Sequence, residues 1–408
     1  MIMTLKLAWR NIWRNRRRSA VILTAIVVGL FGMVFMIAIM KGMSVDMLKT
    51  SIENGVGHIQ IHEKGFNDNM NVSLNIRDPK YVGNFVEETP SVTAYAERIK
   101  ARGLVSSPES SSGVEIWGVD HETEPGVSAV KNYLVEGDFL TGKKGEIYIG
   151  RSLADKLKVK KGDKIVLMGQ GLATEIGAAA FRVSGIFEST SKEFDKYNIY
   201  INLTDAQDLL SMPGRVSEIV VMTESLDHVD EVTASLKRDL EVSGLEVLPW
   251  MMVIPLMHQM LELWDAFNYI VYILVIMAMA FGIVNTILMS VLERTREIGI
   301  LMAIGTRPGR VFSMVMWEGF FLGLTGLIAG WVFTLLVFAV VSKTGINISI
   351  WADSLKYMGG ISPIIYPVLH WNNIIGSSAS VFCAALFSAV YPAVKIMRLN
   401  PVEAFRSV

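Results

Sequence analysis

The sequence predicts an α-helical membrane domain with four transmembrane helices and a mixed α/β extracytoplasmic domain. Three observations predict it. With 51% hydrophobic and 19% charged residues and a mean hydropathy of +0.40, the chain carries less charge than the quarter usual in soluble domains. Four apolar runs reach the roughly 20 residues that a hydrocarbon core about 30 Å thick requires at about 1.5 Å per helical residue. The Lys and Arg residues then collect on alternate sides of those runs, as the positive-inside rule demands. The formal charge of −1 shows no basic excess for nucleic acid. The single cysteine, Cys383, excludes an internal disulfide and a thiolate metal cage.

The first run covers residues 19–40, between Arg18 and Lys41. A cleaved signal peptide is the weaker reading, because the run is longer than an h-region and Met40-Lys41-Gly42-Met43 has no small-x-small cleavage site. The second run covers residues 266–292, the third residues 311–342 (free of charge from Gly319) and the fourth residues 372–394. Residues 1–18 hold six bases and no acid, so the N-terminus is expected in the cytoplasm. Residues 41–265 hold 23 bases and 34 acids, a net −11 that fits a large domain outside. Residues 293–310 return to the cytoplasm with four Arg and two Glu, residues 343–371 form an outer loop, and residues 395–408 form a cytoplasmic tail. The expected protein is a multi-pass membrane protein with one large domain outside.

Alternation of apolar and polar residues predicts strands at Gly57 to His62, Gly113 to Val119, Glu146 to Gly150, Lys164 to Met168, Phe181 to Phe187 and Tyr197 to Asn202. Helices are expected at Pro79 to Glu88, Arg151 to Leu157, Thr204 to Leu210 and Leu226 to Val242. A mixture of this size predicts two subdomains. His58 and His62 lie four apart, which on a strand is about 13 Å, too far for one ion; no metal site is expected. Asp205 with Asp208 and Glu87 with Glu88 have no neighbouring nucleophile or acid partner, and read as solvated helix faces. The P-loop, nucleophile-elbow and zincin motifs are missing from the sequence, so no catalytic chemistry is expected of this chain.

The segment Glu293-Arg294-Thr295-Arg296-Glu297-Ile298-Gly299-Ile300-Leu301-Met302-Ala303 has a charged first turn, then an apolar helix, then the stop Pro308-Gly309. It predicts a short helix at the membrane face with Ile298, Leu301 and Met302 turned inward and the charged turn offered to a partner. Gly319, Gly323, Gly326 and Gly330 recur at spacings of four, three and four, a small-residue face on which helices can approach closely. Asn285, inside the second run, is expected to hydrogen-bond across a helix interface. Met33, Met36, Met40 and Met43 thread the outer half of the first run. Such a surface can suit a variable apolar ligand, although simple packing is the commoner use of Met.

These segments together resemble the MacB/FtsX-type ABC transporter permeases. The resemblance rests on Leu7-Ala8-Trp9-Arg10-Asn11-Ile12-Trp13-Arg14-Asn15-Arg16-Arg17-Arg18, on Glu293 to Gly299 with Ala303-Ile304-Gly305, and on Tyr391-Pro392-Ala393 with Asn400-Pro401-Val402-Glu403-Ala404. Gly57-His58-Ile59-Gln60-Ile61-His62 looks like the lipoprotein-releasing LolC/LolE branch. The resemblance implies a Porter-like part at about 44–125 and 215–258, and an inserted Sabre-like part at about 126–214. It implies a dimer with a second permease, identical or homologous, on two copies of a cytoplasmic ABC ATPase that holds the ATP and Mg; this chain would bind no cofactor itself. Glu293, Arg294, Thr295, Arg296, Glu297, Ile298, Gly299, Leu301 and Met302 would belong to the coupling helix that docks on the ATPase. The substrate would sit between the first two spans of the two permeases, at Met33, Met36, Met40 and Met43 and at Phe267, Ile270, Val271 and Leu274. ATP-driven movement of those spans with the outer domain, or mechanotransmission, would lift a lipoprotein from the outer leaflet toward a periplasmic carrier. The alternatives are a tripartite efflux permease for peptides or drugs and an FtsX-like regulator of a peptidoglycan hydrolase.

Overall fold

The computed structural model describes residues 2–172, 175–240, 244–348 and 364–397, with side chains from residue 6 onward. The motif Asn400 to Ala404, most of the predicted loop 343–371 and the tail beyond residue 397 lie outside the described residues. Contacts divide the chain into a helical unit, residues 1–43, 261–346 and 364–408, and a sheet unit, residues 44–260 with 347–363. The chain opens with α1 (Ile2–Arg14) and α2 (Arg16–Ser51). The Ser19 hydroxyl donates to the Ile12 carbonyl at 2.6 Å and joins the two.

The sheet unit follows with β1 (Ile59–Glu63), α3 (Phe66–Asn69), α4 (Pro79–Glu88), β2 (Val92–Ser106), β3 (Ser111–Val119) and β4 (Leu134–Gly137). Next come β5 (Glu146–Gly150), α5 (Arg151–Leu157), β6 (Lys164–Gln170), β7 (Ile176–Phe187), α6 (Lys192–Tyr197) and β8 (Asn198–Asn202). Last are α7 (Leu203–Leu209), β9 (Glu218–Thr223), α8 (Val229–Leu240), β10 (Leu245–Pro249) and α9 (Trp250–Val253). Local chemistry sets the helix starts. At α4, the Asp78 carboxylate accepts from the Tyr81 amide at 3.1 Å and Pro79 takes the first helical position.

The strands join in one sheet of order β10-β1-β9-β2-β3-β8-β5-β7-β4, with β6 pairing both β2 and β7. The two expected parts therefore share a sheet. The 15-residue β2 is the reason: residues 92–98 pair with β9 and residues 103–106 pair with β6. The predicted helix at Leu226 to Val242 becomes a 3₁₀ turn, Leu226–His228, followed by α8, and its last two residues lie outside the described set. An aromatic cluster of Trp117, Phe139, Tyr148, Phe187 and Tyr200 fills the core between β3, β5, β7 and β8. His58 and His62 do not act together. The His58 ring nitrogen accepts from the Thr223 amide at 3.0 Å, and burial pulls its pKa below the ordinary histidine value. His62 faces Glu246 at 3.2 Å on β10. Asp208 pairs with Lys144 at 2.8 Å, Asp205 accepts from the Gly145 amide, and Glu87 accepts from the Tyr95 hydroxyl.

The chain then continues through α10 (Pro255–Glu293), α11 (Thr295–Ala303), α12 (Pro308–Thr344) and α13 (Trp371–Met397). Among the described residues, α2, α10, α12 and α13 are the helices long and apolar enough to cross a membrane. They enclose a core of Ile26, Leu30, Met33, Ile283, Leu322 and Ala385. The glycine face of α12 serves two neighbours. A Cβ at Gly319 would stand 2.7 Å from Ala389 on α13, and one at Gly326 would stand 2.7 Å from Ile26 on α2. Gly323 likewise meets Phe382, and Gly330 meets Leu30. Asn285 departs from expectation: it is exposed and its side chain makes no hydrogen bond among the described residues. The reason is rotational, since α10 turns Ile283 and Ile287 into the bundle and Asn285 away from it.

Candidate coupling site

The short helix α11 sits between two sharp breaks. Arg294 caps it without a side-chain bond, and Gly305, at φ +100, ends it in a backbone conformation that glycine adopts without strain. Pro308 then starts α12 from the extended Arg307. One side of α11 is anchored. Ile298 and Gly299 are buried, and Ile298 joins the helical core with Met302 packed beside it.

An ion-pair network fixes the same side. Arg14 of α1 holds Glu297 at 2.9 Å, and Arg294 reaches Glu297 at 3.3 Å and Glu318 of α12 at 3.8 Å. Arg18 of α2 pairs with Glu293 at the end of α10. The Arg14 hydrogen bond, helped by Arg294, holds the Glu297 carboxyl below the usual carboxylate range. Between Arg18, Arg294, Ile298 and Glu318 lies a cavity of about 20 Å³, room for a single water. Arg14 and Glu297 are more than half exposed, so that pair by itself is worth little, on the order of 0–1 kcal/mol. The network gains from joining α1, α11 and α12, beside the separate Arg18–Glu293 pair between α2 and α10.

The opposite side of α11 is free. Arg296 is exposed and makes no ion pair among the described residues. Ile300, Leu301 and Ile304 are exposed beside it, Leu301 at 43% and Ile304 at 79%. The expectation that Leu301 turns inward is therefore corrected: it lies about 60° from Ile298, on the side away from Met302, at the edge of the anchored stripe, where 43% of it stays exposed. Arg294 also differs from expectation, because its guanidinium belongs to the anchor and not to the offered face. Thr295 turns its hydroxyl back to the Leu292 carbonyl at 2.8 Å. Arg14, Arg18 and Glu318 complete the network and escaped the sequence reading of this site. The runs of Arg before the first span and the lone Glu in the third were the available signals.

The residues expected around substrate do not form one surface within this chain. Met33 is 1% exposed and packs in the helical core, which corrects its assignment to a cavity. Met36, Met40 and Met43 are partly buried on α2, and Val271 is partly buried on α10. Phe267, Ile270 and Leu274 are exposed on α10.

Two family models match. The MacB-like periplasmic core domain covers residues 19–239, and the FtsX-like permease C-terminal domain covers residues 269–401. The chain is 26% identical over 330 residues to the lipoprotein-releasing system transmembrane protein LolC of Xylella fastidiosa, covering 78% of each. It is 23% identical to the corresponding LolE of Haemophilus influenzae, covering 79% of each. It is also 26% identical to the pyoverdine export ATP-binding/permease protein PvdT of Pseudomonas syringae, over 98% of this chain and 58% of that protein. A short helix anchored on one side and free on the other fits such a protein, and a first model that spans more than half of the chain with a second over its last three membrane helices makes this chain a member of the MacB/FtsX/LolC-type ABC transporter permeases.

Proposed function

We propose that this protein is the permease subunit of a transporter that extracts lipoproteins from the outer leaflet of a bacterial inner membrane and passes them to a periplasmic carrier. The observation that carries the reading is the two-sided α11. Ion pairs from α1 and α12 and the apolar contacts of Ile298 with the helical core hold one face, while Arg296, Ile300, Leu301 and Ile304 form a mixed basic and apolar face of the kind that suits a protein partner. That partner is a cytoplasmic ATPase, two copies of which would hold the ATP and Mg. The N-terminus and α11 lie in the cytoplasm on this reading, and residues 44–260 lie in the periplasm.

The choice of lipoprotein over other cargo is supported by the LolC and LolE relatives, which match over similar shares of both chains. The 36 residues of α2 and 39 of α10 exceed the roughly 20 needed to cross a bilayer, so both helices can carry motion past the membrane boundary. The exposed Phe267, Ile270 and Leu274 would meet substrate or a second permease. Efflux of a small amphiphile is the second reading, supported by the PvdT relative.

The test is to tag the C-terminus, purify the protein from native membranes in mild detergent, and identify what copurifies by mass spectrometry. An ATPase with acylated lipoproteins is expected. An ATPase with an adaptor and an outer-membrane duct would replace this reading by efflux, an ATPase with a hydrolase would replace it by regulation, and no ATPase would end it.

A further inference from the structure

The helical unit contains a second feature, a cleft of about 940 Å³ between α2, α10 and α13. Its size is that of a ligand pocket, and its lining is graded along the helix axes. Where α2 leads on toward residue 44, the cleft is lined by Lys41, by Asp265 and Asn268, and by His370 with Asn372. Farther into the bundle it is lined by Ile37, Ile273 and Ile276, with the hydroxyl-bearing Tyr272 and Ser380 and no charged group. At about 1.5 Å per residue, Asp265 and Ile276 stand roughly 16 Å apart along α10. That is close to the hydrocarbon depth of one leaflet, half of about 30 Å.

The polar end is unsatisfied. The Asn268 side-chain oxygen is buried without a hydrogen-bond partner. Lys41 and Asp265 make no ion pair among the described residues. The Asn268 oxygen is cut off from water, Lys41 beside it is half-buried and Asp265 is exposed at the cleft mouth, so the cleft offers a cation, an anion and a buried acceptor to one doubly charged partner. Water can fill the space but carries neither charge.

The geometry points to a binding site for a zwitterionic phospholipid of the ethanolamine class. Its phosphate lies against Lys41, its ammonium donates to Asp265 and to the Asn268 oxygen, and an acyl chain runs along Ile37, Ile273 and Ile276. The partners discriminate among lipids. A choline headgroup has no N–H for the Asn268 oxygen, and a glycerol headgroup offers Asp265 no cation. An acylated protein terminus has no phosphate for Lys41. The site shares α2 and α10 with the proposed substrate path but calls for a phosphate that an acylated terminus lacks, and it stands whether or not lipoprotein is the cargo.

The test uses the full-length protein, delipidated in mild detergent and supplied with equal amounts of phosphatidylethanolamine, phosphatidylcholine and phosphatidylglycerol, with bound lipid read by native mass spectrometry. One phosphatidylethanolamine per chain is expected, retained about tenfold over the other two. Asp265→Asn should bring its retention down to that of phosphatidylcholine, and Lys41→Met should reduce retention of every phosphate-bearing lipid. Ile276→Trp leaves the charged groups in place and fills the apolar floor; it should expel the lipid at an unchanged thermal midpoint. Equal retention of the three lipids by the wild-type chain would overturn the site, as would undiminished phosphatidylethanolamine in folded Asp265→Asn. Dissociation of a dimer in the charge variants without loss of lipid would assign the cleft to a second copy and also overturn it.

Discussion

The guanidinium of Arg98 grips the carboxylate of Glu124 through two hydrogen bonds of 2.8 and 2.7 Å, with neither side chain more than 1% exposed. The same guanidinium donates to the Gly55 carbonyl, in the single π-helical turn that follows α2, and lies 5.3 Å from the Trp117 ring. Lys100, two residues along β2, sits 4.0 Å over the same ring and pairs with Glu218 at 3.0 Å. Arg98 thus ties the turn after α2, the strands β2 and β9 and the segment holding Glu124 into one buried cluster. Arg98→Met leaves the buried Glu124 carboxylate without its cation and takes from Glu218, still held by Lys100, a second cation at 3.6 Å; losing one member of a buried pair costs about 3–5 kcal/mol. Faster amide exchange across residues 92–124, measured on the full-length protein, is the expected outcome; unchanged protection there would remove Arg98 from this role.

The anchor and the offered face of α11 should separate by mutation. Arg294→Glu places a third carboxylate beside Glu297 and Glu318 and should lower the thermal midpoint in detergent. Arg296→Glu touches no internal partner and should leave the midpoint within about 1 °C, as surface changes usually do, while abolishing ATPase copurification. If Arg296→Glu still copurifies the ATPase, the free face is not the docking face.

Glycine substitutions should rank by the space each has. Gly326→Ala forces a methyl against Ile26 and Gly319→Ala one against Ala389, each costing about 1–3 kcal/mol in a packed interface. Gly282→Ala on α10 meets nothing within 4 Å and should be neutral, or gain about 0.5–1 kcal/mol from helix propensity. Thermal midpoints of the three variants in one detergent give the comparison. A cost at Gly282 equal to that at Gly326 would show that the α12 face is not special.

Asp195 gives the sheet unit a pH signature. Burial raises its carboxyl to about 6, against the opposing hydrogen bonds from Ser189. Between the unfolded value near 4 and the folded value near 6, the folded state binds more protons than the unfolded, so this group lowers stability as pH rises through that window. Asp195→Asn keeps an acceptor for Ser189 and cannot ionise. Its stability relative to wild type should be near zero at pH 4 and should reach about 2–3 kcal/mol in its favour above pH 6. Parallel denaturation curves from pH 4 to 7.5 check this, and a difference independent of pH would contradict it.

Much of the helical unit was legible because lipid imposes a simple rule. The apolar runs at residues 19–40, 266–292, 311–342 and 372–394 fall within α2, α10, α12 and α13. The helices run on at some ends because hydropathy reports contact with hydrocarbon and not hydrogen bonding, so α2 continues to Ser51 and α10 begins at Pro255. In the sheet unit, the alternating strands β1, β3, β5, β6, β7 and β8 announced themselves, but β2, β4, β9 and β10 did not. Glu97, Arg98, Lys100 and Arg102 make β2 read as a surface segment. Only Glu124 and Glu218, brought in from distant turns and strands, make Arg98 and Lys100 tolerable inside.

By itself the sequence determined that this chain has four spans, a large inserted domain and a short charged helix between the second and third spans. Local periodicity and the cost of charge in lipid are properties of consecutive residues. The tertiary structure alone decided which face of α11 is anchored, which neighbours the α12 glycines accept, and that Lys41, Asp265 and Asn268 line one cleft. Those facts depend on helix rotation and on pairings between residues up to 283 positions apart, as in Arg14 with Glu297, and a linear pattern carries neither.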